Sequence, residues 1–349
     1  MNISEYIQIS DLRHLRYGFY KLIYIRPTQL CPAKCRHCSA NSGPDVGKSA
    51  PINILQHWVR SICEIEQLEW IGVEGGEPFV ALPQLRLILD IANSFGKKTS
   101  VLTNAIWAEN MHIAELVIKK LPRISYLLIS ADEFHQEFIP LERVINALKI
   151  GREYCDRIGV QLCVGPGYSA FLQQFLAYAG DEITPDVDLI ETPLQYVGRA
   201  KSTGCAPTPE FTQTLPEGPC IFLGTPVVRE NGSFVACCQQ DVVLGNDPDM
   251  FHLGNLTNFT ARELMAKVDS DIYLQTLRIF GPSFIANVAQ ENGWNWKPKE
   301  YVCGLICDLC CDLANHPDVV EKFRNTYNSP NYLASLTLGR HLLYDEKLP

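Results

Sequence analysis

The chain has 349 residues, 46% hydrophobic and 20% charged, enough to bury a large core in two domains or in one large barrel with an appendage. A formal net charge of −9 argues against a general nucleic-acid binder, whose affinity comes from neutralising phosphates. Fourteen cysteines accompany a start, Met1-Asn2-Ile3-Ser4-Glu5-Tyr6, that lacks the basic and apolar regions of a signal peptide, so a reducing, cytoplasmic compartment with cysteines used for metal is expected. No apolar run reaches about eighteen residues, and no membrane span is expected.

Residues 1–21 carry Arg13, His14, Arg16 and Tyr17 among scattered apolar positions and read as an N-terminal arm or lead-in helix. From residue 22 to about 200, short β-rich runs alternate with helical patterns. Strands are expected at 22–25, 70–73, 99–103, 126–130, 160–164 and 189–191, with helices near 54–65, 85–94, 113–121, 141–154 and 171–179. Six strands separated by helix-length segments predict βαβ units and an α/β fold with a parallel sheet. With right-handed crossovers such a sheet can curl into part of a barrel. Cys63 and Cys155 fall within the helical patterns and are expected to be small core residues. Ser202-Thr203-Gly204 and Ala206-Pro207-Thr208-Pro209 then read as a linker. A hairpin at 226–235, two helical stretches and a second group of cysteines follow. The expected divisions are an arm at 1–21, a barrel at 22–203, a second domain at 204–312 and an extension at 313–349 whose sequence carries no readable signal.

Just after the first strand comes Cys31-Pro32-Ala33-Lys34-Cys35-Arg36-His37-Cys38, with the spacing C-x3-C-x2-C. A tight loop of this kind aims three thiolates at one point. Iron–sulfur cubanes usually take four cysteines, one per iron, so three local cysteines leave one iron free to bind something else. Zinc is the alternative, but the three-residue gap suits it less well than C-x2-C and no paired second half follows within twenty residues. Gly75-Gly76-Glu77-Pro78 follows the second strand, where glycines let the backbone approach a ligand closely. The alternative there is a plain strand–helix turn with Pro78 opening the helix.

This cysteine loop, paired with the GGEP turn, resembles the signature of the radical S-adenosylmethionine (SAM) superfamily. The resemblance implies a partial (β/α)6 TIM-like barrel. It also implies a [4Fe-4S] cluster on Cys31, Cys35 and Cys38 whose open iron chelates the amino and carboxylate groups of SAM. His37 falls where the family has an aromatic residue near the adenine, and Gly75, Gly76 and Glu77 fall on SAM's amino group. Thr103-Asn104 and Ser130-Ala131-Asp132, ending the third and fourth strands, match family positions, the latter near the ribose. Ser130 and Asp132 would serve equally as helix N-caps. His135 on the same rim is a candidate substrate contact or proton donor, with a solvated loop histidine as the alternative. Arg199, in Gly198-Arg199-Ala200 after the sixth strand, would hold a carboxylate or SAM, or make a structural ion pair.

The second group of cysteines is the other large clue. Cys220 and Cys237 flank a hairpin whose Gly232 makes the turn, which brings their thiols together. Cys307-Asp308-Leu309-Cys310 is a C-x2-C pair able to finish a four-cysteine site. The spacing C-x11-G-x4-C resembles the opening of the SPASM and twitch extensions of the superfamily. Cys220, Cys237, Cys307 and Cys310 are therefore expected to hold an auxiliary [4Fe-4S] cluster, with Cys238 able to replace Cys237 and Cys303 or Cys311 one of the pair. Cys311 is the last cysteine, which departs from the full SPASM pattern and favours a single, twitch-like cluster. A zinc ribbon is the alternative for this half.

The activity implied is reductive cleavage of SAM to methionine and a 5′-deoxyadenosyl radical that abstracts a hydrogen atom from substrate. An auxiliary cluster would accept an electron in thioether, carbon–carbon or dehydrogenation chemistry. In an epimerase a thiol would return hydrogen, for which Cys205, Cys238 and Cys311 are spare. Family frequency points to a ribosomally made peptide as substrate, with an aminoglycoside-type sugar second. The expected partners are an electron donor of flavodoxin or ferredoxin type and, since little chain precedes the first strand, a separate leader-peptide-binding protein, unless the barrel itself recognises the peptide. A non-catalytic iron–sulfur carrier or a zinc-stabilised module is the reading from another class, and the GGEP turn speaks against both.

Overall fold

A computed structural model describes residues 21–164, 168–183, 186–245, 248–344 and 346. The expected N-terminal arm therefore lies almost wholly outside the described residues. The chain divides into two compact units, one formed by residues 23–208 with 228–232, the other by 209–227 and 233 onward.

The first unit is built on six strands in the order β1-β2-β3-β4-β5-β6: β1 (Leu22–Ile25), β2 (Trp70–Val73), β3 (Lys98–Thr103), β4 (Ile124–Ser130), β5 (Cys155–Val164) and β6 (Val187–Pro193). Each pair from β2 to β6 is parallel, with Val73 opposite Val101, Thr103 opposite Ile129, Ser130 opposite Gln161 and Cys163 opposite Thr192. The crossovers are α1 (Ile52–Cys63), α2 (Leu82–Ser94), α3 (Met111–Ile118), α4 (Leu141–Tyr154) and α5 (Tyr168–Ala179), with a short α6 (Arg199–Thr203) after β6. Each helix is set by an apolar stripe. In α1, Leu55, Trp58, Val59 and Ile62 recur at i, i+3, i+4 and i+7 and are all buried. Asn110 starts α3 by accepting a hydrogen bond from the Ile113 N–H.

One expectation needs correcting. Cys155 is not helical: α4 stops at Tyr154 and Cys155 opens β5, opposite Ile124. It is nevertheless a buried core residue, 4% exposed. Parallel strands carry their sites at the C-terminal edge, so the loops after β1, β2, β3, β4 and β6 are the ones that can form one.

In the second unit β7 (Phe211–Thr212) pairs antiparallel with β11 (Tyr301–Val302), and β9 (Ser233–Val235) with β10 (His252–Asn255). The turn between β8 (Val227–Val228) and β9, whose residues 228–232 belong to the first unit, closes with Gly232 N–H donating to the Arg229 carbonyl, at a φ of 82° that favours glycine. The helices are α7 (Gln240–Val243), α8 (Ala261–Ser270), α9 (Ile272–Ile279), α10 (Pro282–Glu291), α11 (Ile306–Ala314), α12 (Pro317–Tyr327) and α13 (Pro330–Tyr344). A capping box of Thr260 and Glu263 starts α8, and Asp271 caps α9 while ion-pairing with Arg324 of α12. Residues beyond 312 thus belong to this unit: Phe323 packs edge-on against buried Tyr273, and Tyr344 donates to the Arg278 carbonyl. Among the described residues, no helix is long and apolar enough to cross a membrane.

Candidate active site

The loop after β1 is strapped to the turn after β2 by its own backbone. Gly76 and Glu77 N–H groups donate to the carbonyls of Thr28 and Leu30, both at 2.9 Å, and Cys31 N–H donates to Gly43. Gly76 is required by this approach: a Cβ there would sit 2.2 Å from the Leu30 oxygen. Gly75 has a φ of 132°, and its Cβ would meet the Thr28 oxygen at 2.5 Å. Below the loop, buried Arg26 pairs with Glu74 at 2.7 Å.

Glu77 is fully buried and accepts three hydrogen bonds from the chain: Phe79 N–H at 3.0 Å, Thr103 Oγ1–H at 2.8 Å and Asn104 N–H at 2.8 Å. Burial pushes its carboxyl up to about 7, against the pull of those donors. Its carboxylate therefore ties the β2 turn to the end of β3. Asn104, held there, donates through Nδ2 to Cys31 Sγ at 3.4 Å.

Cys31 and Cys35 are buried and Cys38 is half-buried, all three as free thiols. Burial, then the nearby charge of Glu77, pushes the Cys31 thiol up to about 12; burial, then the neighbouring Cys38 and Cys31, raises Cys35 as well. Three soft sulfur donors crowded on one buried loop repel one another as thiolates, and a cationic iron–sulfur group relieves that repulsion. The donor set fits such a group.

Among the described residues, Arg199 makes no side-chain ion pair. Its Nη1 donates to the Cys35 carbonyl at 2.8 Å, its Nη2 to the Ser42 carbonyl, and its main-chain N–H to the Cys38 carbonyl at 3.0 Å. Gly198 permits this contact, with a φ of 55° and Cβ positions only 2.3 Å from the Ser39 oxygen. The start of α6 thus clamps the cysteine loop.

At the end of β4, Asp132 is both cap and anchor. Oδ1 accepts from the N–H groups of Phe134 and His135, each at 3.0 Å, while Oδ2 lies 2.8 Å from His135 Nδ1 and 3.4 Å from His37 Nε2. Burial would raise Asp132, but the charge and hydrogen bonds of the two histidines hold it well below the usual carboxylate range. Burial lowers His135, and the Asp132 carboxylate outweighs it, leaving the imidazole above its ordinary value. His37 stacks on Phe134 at 4.7 Å and meets the edge of His135 at 4.8 Å. Ser130 ends β4 beside this group.

Cys163 was not singled out in the sequence, where it reads as one more apolar strand residue. Its sulfur lies within 4.8 Å of ligand atoms of His37 and Asp132, and it packs with Cys205 against the buried patch of Cys31, Ala33 and Cys35. Cys205, 3.3 Å from Thr203 Oγ1, belongs to the first unit; Cys238 belongs to the second.

Within the second unit, Cys220, Cys237, Cys307, Cys310 and Cys311 line one small cavity with Leu223, Phe251 and Pro282. Gln239 N–H donates to Cys237 Sγ at 3.3 Å. Burial, then the neighbouring cysteines, raises Cys237, Cys307 and Cys310. Cys303 is exposed and lies outside this lining.

Residues 25–171 match the family model described as the Radical SAM superfamily. Residues 25–171 form a radical SAM domain. Its cofactors are those of the superfamily, SAM and a [4Fe-4S] cluster, and the thiol loop fits the cluster. YydG of Bacillus subtilis (strain 168), named provisionally as a peptide biosynthesis protein, is 23% identical over 321 residues, 87% of this chain and 95% of its own. Among solved structures, anSMEcpe with bound AdoMet and Cp18Cys peptide is similar at a TM-score of 0.48 and 14% identity, over 70% of this chain and 79% of that one. Streptococcus suis SuiB bound to its precursor peptide SuiA has a TM-score of 0.48 and 14% identity, over 75% and 70%.

Proposed function

We propose that this radical SAM enzyme modifies a ribosomally made peptide, with Cys31, Cys35 and Cys38 holding the SAM-binding cluster and Cys220, Cys237, Cys307 and Cys310 an auxiliary [4Fe-4S] cluster. The observation that carries the enzyme reading is the buried three-thiol loop strapped to the GGEP turn. The peptide reading is supported by similarity to YydG along 95% of that protein, spanning both units of this chain. Once bound, the first cluster and SAM supply the 5′-deoxyadenosyl radical that takes a hydrogen atom from the substrate. The chain's part is to place the reactants and shield them from solvent. Arg199 and Glu77 fix the cysteine loop from two sides, and the Asp132 carboxylate orients His37 and His135 on the rim. Cys205 and Cys163 lie against the same loop, where a thiol can return hydrogen; Cys238 would serve the same chemistry from the second unit. A cytoplasmic setting with a flavodoxin- or ferredoxin-type donor and a separate leader-binding partner completes the reading.

The test is iron, sulfide and 5′-deoxyadenosine on anaerobically reconstituted protein, beside a Cys31/Cys35/Cys38→Ala variant. About eight irons in the wild type and about four in the variant, with SAM cleavage only in the wild type, are expected from two cubanes. Peptides encoded near the gene are then assayed for a mass or stereochemical change. A wild type that cleaves no SAM under strong reduction overturns the enzyme reading.

A further inference from the structure

The first unit carries an open groove between the loop after β4 and helix α5. Its volume is about 520 Å³. The groove shares its wall with the candidate active site, since Glu133 and Gln136 that line it flank Phe134 and His135 that do not. We propose that this groove seats a basic, aromatic- or aliphatic-containing segment of the peptide substrate and leads it to the rim. The proposal rests on the peptide reading above and gives it a binding surface.

Two features fix the chemistry of the occupant. Glu133 and Glu142 line the groove, are exposed, and make no ion pair among the described residues. Arg36, which feels the charge of Glu133, is itself paired with Glu137 at 2.5 Å. Two carboxylates across an open groove favour lysine or arginine side chains. Phe171 and Tyr178, seven residues apart on one face of α5, add two rings to the wall, and Tyr178 is 55% exposed. Large amphipathic rings held at the surface are what binding surfaces use for apolar anchors. A sugar phosphate or an acidic peptide meets only repulsion from the two glutamates.

The test selects a phage-displayed random dodecapeptide library on the immobilised full-length, cluster-reconstituted protein. Recovered peptides are then labelled and their affinities read by fluorescence anisotropy. Lysine or arginine beside aromatic or aliphatic residues is expected among them. The double variant Glu133→Gln/Glu142→Gln is expected to weaken them roughly five- to tenfold, the size of two exposed ion pairs, and Tyr178→Ala to weaken them as well. The control Glu64→Gln/Glu66→Gln removes equal charge from exposed positions elsewhere on the same unit and is expected to change affinity less than about twofold. Circular dichroism checks that each variant is folded. The proposal is overturned if recovered peptides lack basic enrichment, or if the groove and control variants behave alike. SAM cleavage by the wild type is measured in parallel: cleavage without groove-dependent binding overturns the groove alone, whereas absence of cleavage overturns the enzyme reading.

Discussion

Arg199 donates through Nη1 to the main-chain carbonyl of Cys35, 2.8 Å away and 164 residues earlier in the chain. The contact makes the short helix α6, which follows the last of the six strands, part of the scaffold around the first loop. A guanidinium suits the task because its planar fork reaches two carbonyls at once, here those of Cys35 and Ser42, while a lysine ammonium has no such fork.

Replacing Arg199 should therefore loosen the cysteine loop before it affects anything else. Hydrogen bonds from a charged donor contribute about 1.5–3 kcal/mol each, so Arg199→Ala is expected to destabilise the metal-free protein by about 2–3 kcal/mol. Arg199→Lys should recover less than half of that. Urea unfolding reads the first effect, and iron per chain after reconstitution reads the second, which should fall in both variants. Unchanged iron in Arg199→Ala would remove the clamp from the account.

The Asp132 pair gives a pH dependence with a definite sign. Asp132 is held below its ordinary 3.8, so the stability it brings is present above that value and is lost as pH falls through its folded value. His135 is held above its ordinary 6.5, so its share is present below 6.5 and is lost as pH rises through its folded value. The pair is thus fully engaged between roughly pH 4 and 6.5. Asp132→Asn keeps the capping oxygen for the Phe134 and His135 N–H groups and removes only the charge. It should cost about 3 kcal/mol near pH 5.5 and less once pH has risen past the folded value of His135, measured by urea unfolding across a pH series. An equal cost across the series would show that the histidine does not change its charge within it.

Local features were legible in the sequence and long-range ones were not. Strands at 22–25 and 70–73 coincide with the expected ones because four apolar residues between turn signals leave little choice. The start of β5 was missed because its first residues are polar: Asp156 and Arg157 are strand residues whose ion pairs, with Arg123 and Asp188, lie on neighbouring segments. The same holds at the site. The three-thiol loop is local and its spacing shows it. Arg199 acts on carbonyl oxygens, which have no sequence signature, and Glu77 spends its carboxylate on donors contributed by Phe79, Thr103 and Asn104. Cys163 was hidden by strand alternation and is drawn into the site only by the parallel register of β4 and β5.

Gly76 offers a test of the strap between the two loops. A methyl group there would sit 2.2 Å from the Leu30 oxygen and 2.6 Å from its carbon, and both are backbone atoms that cannot turn aside. Gly76→Ala is expected to cost about 3 kcal/mol or more, with loss of iron from the first loop. Gly96→Ala is the comparison: it has a φ of 68° and open space around it, so only the backbone cost of about 1–2 kcal/mol applies, and iron stays unchanged. Thermal unfolding with iron analysis separates the two. Equal losses would mean that the close approach to Leu30 has no special weight.

The second unit makes a sharper claim about which cysteines matter. Cys310 is buried in the wall of the cavity that also holds Cys220, Cys237 and Cys307, whereas Cys303 is exposed and outside it. Cys310→Ser should therefore lower the iron content of reconstituted protein from about eight toward about four atoms per chain, while Cys303→Ser leaves it near eight. Mössbauer spectra should show the loss confined to one cubane, because Cys31, Cys35 and Cys38 belong to the other unit. Cys311 lines the same cavity, so Cys311→Ser decides whether it stands in for a neighbour: iron near eight leaves Cys310 as the ligand, and a loss equal to that of Cys310→Ser assigns both. Should Cys303→Ser lose iron and Cys310→Ser keep it, the assignment of the C-x2-C pair to the auxiliary cluster is wrong.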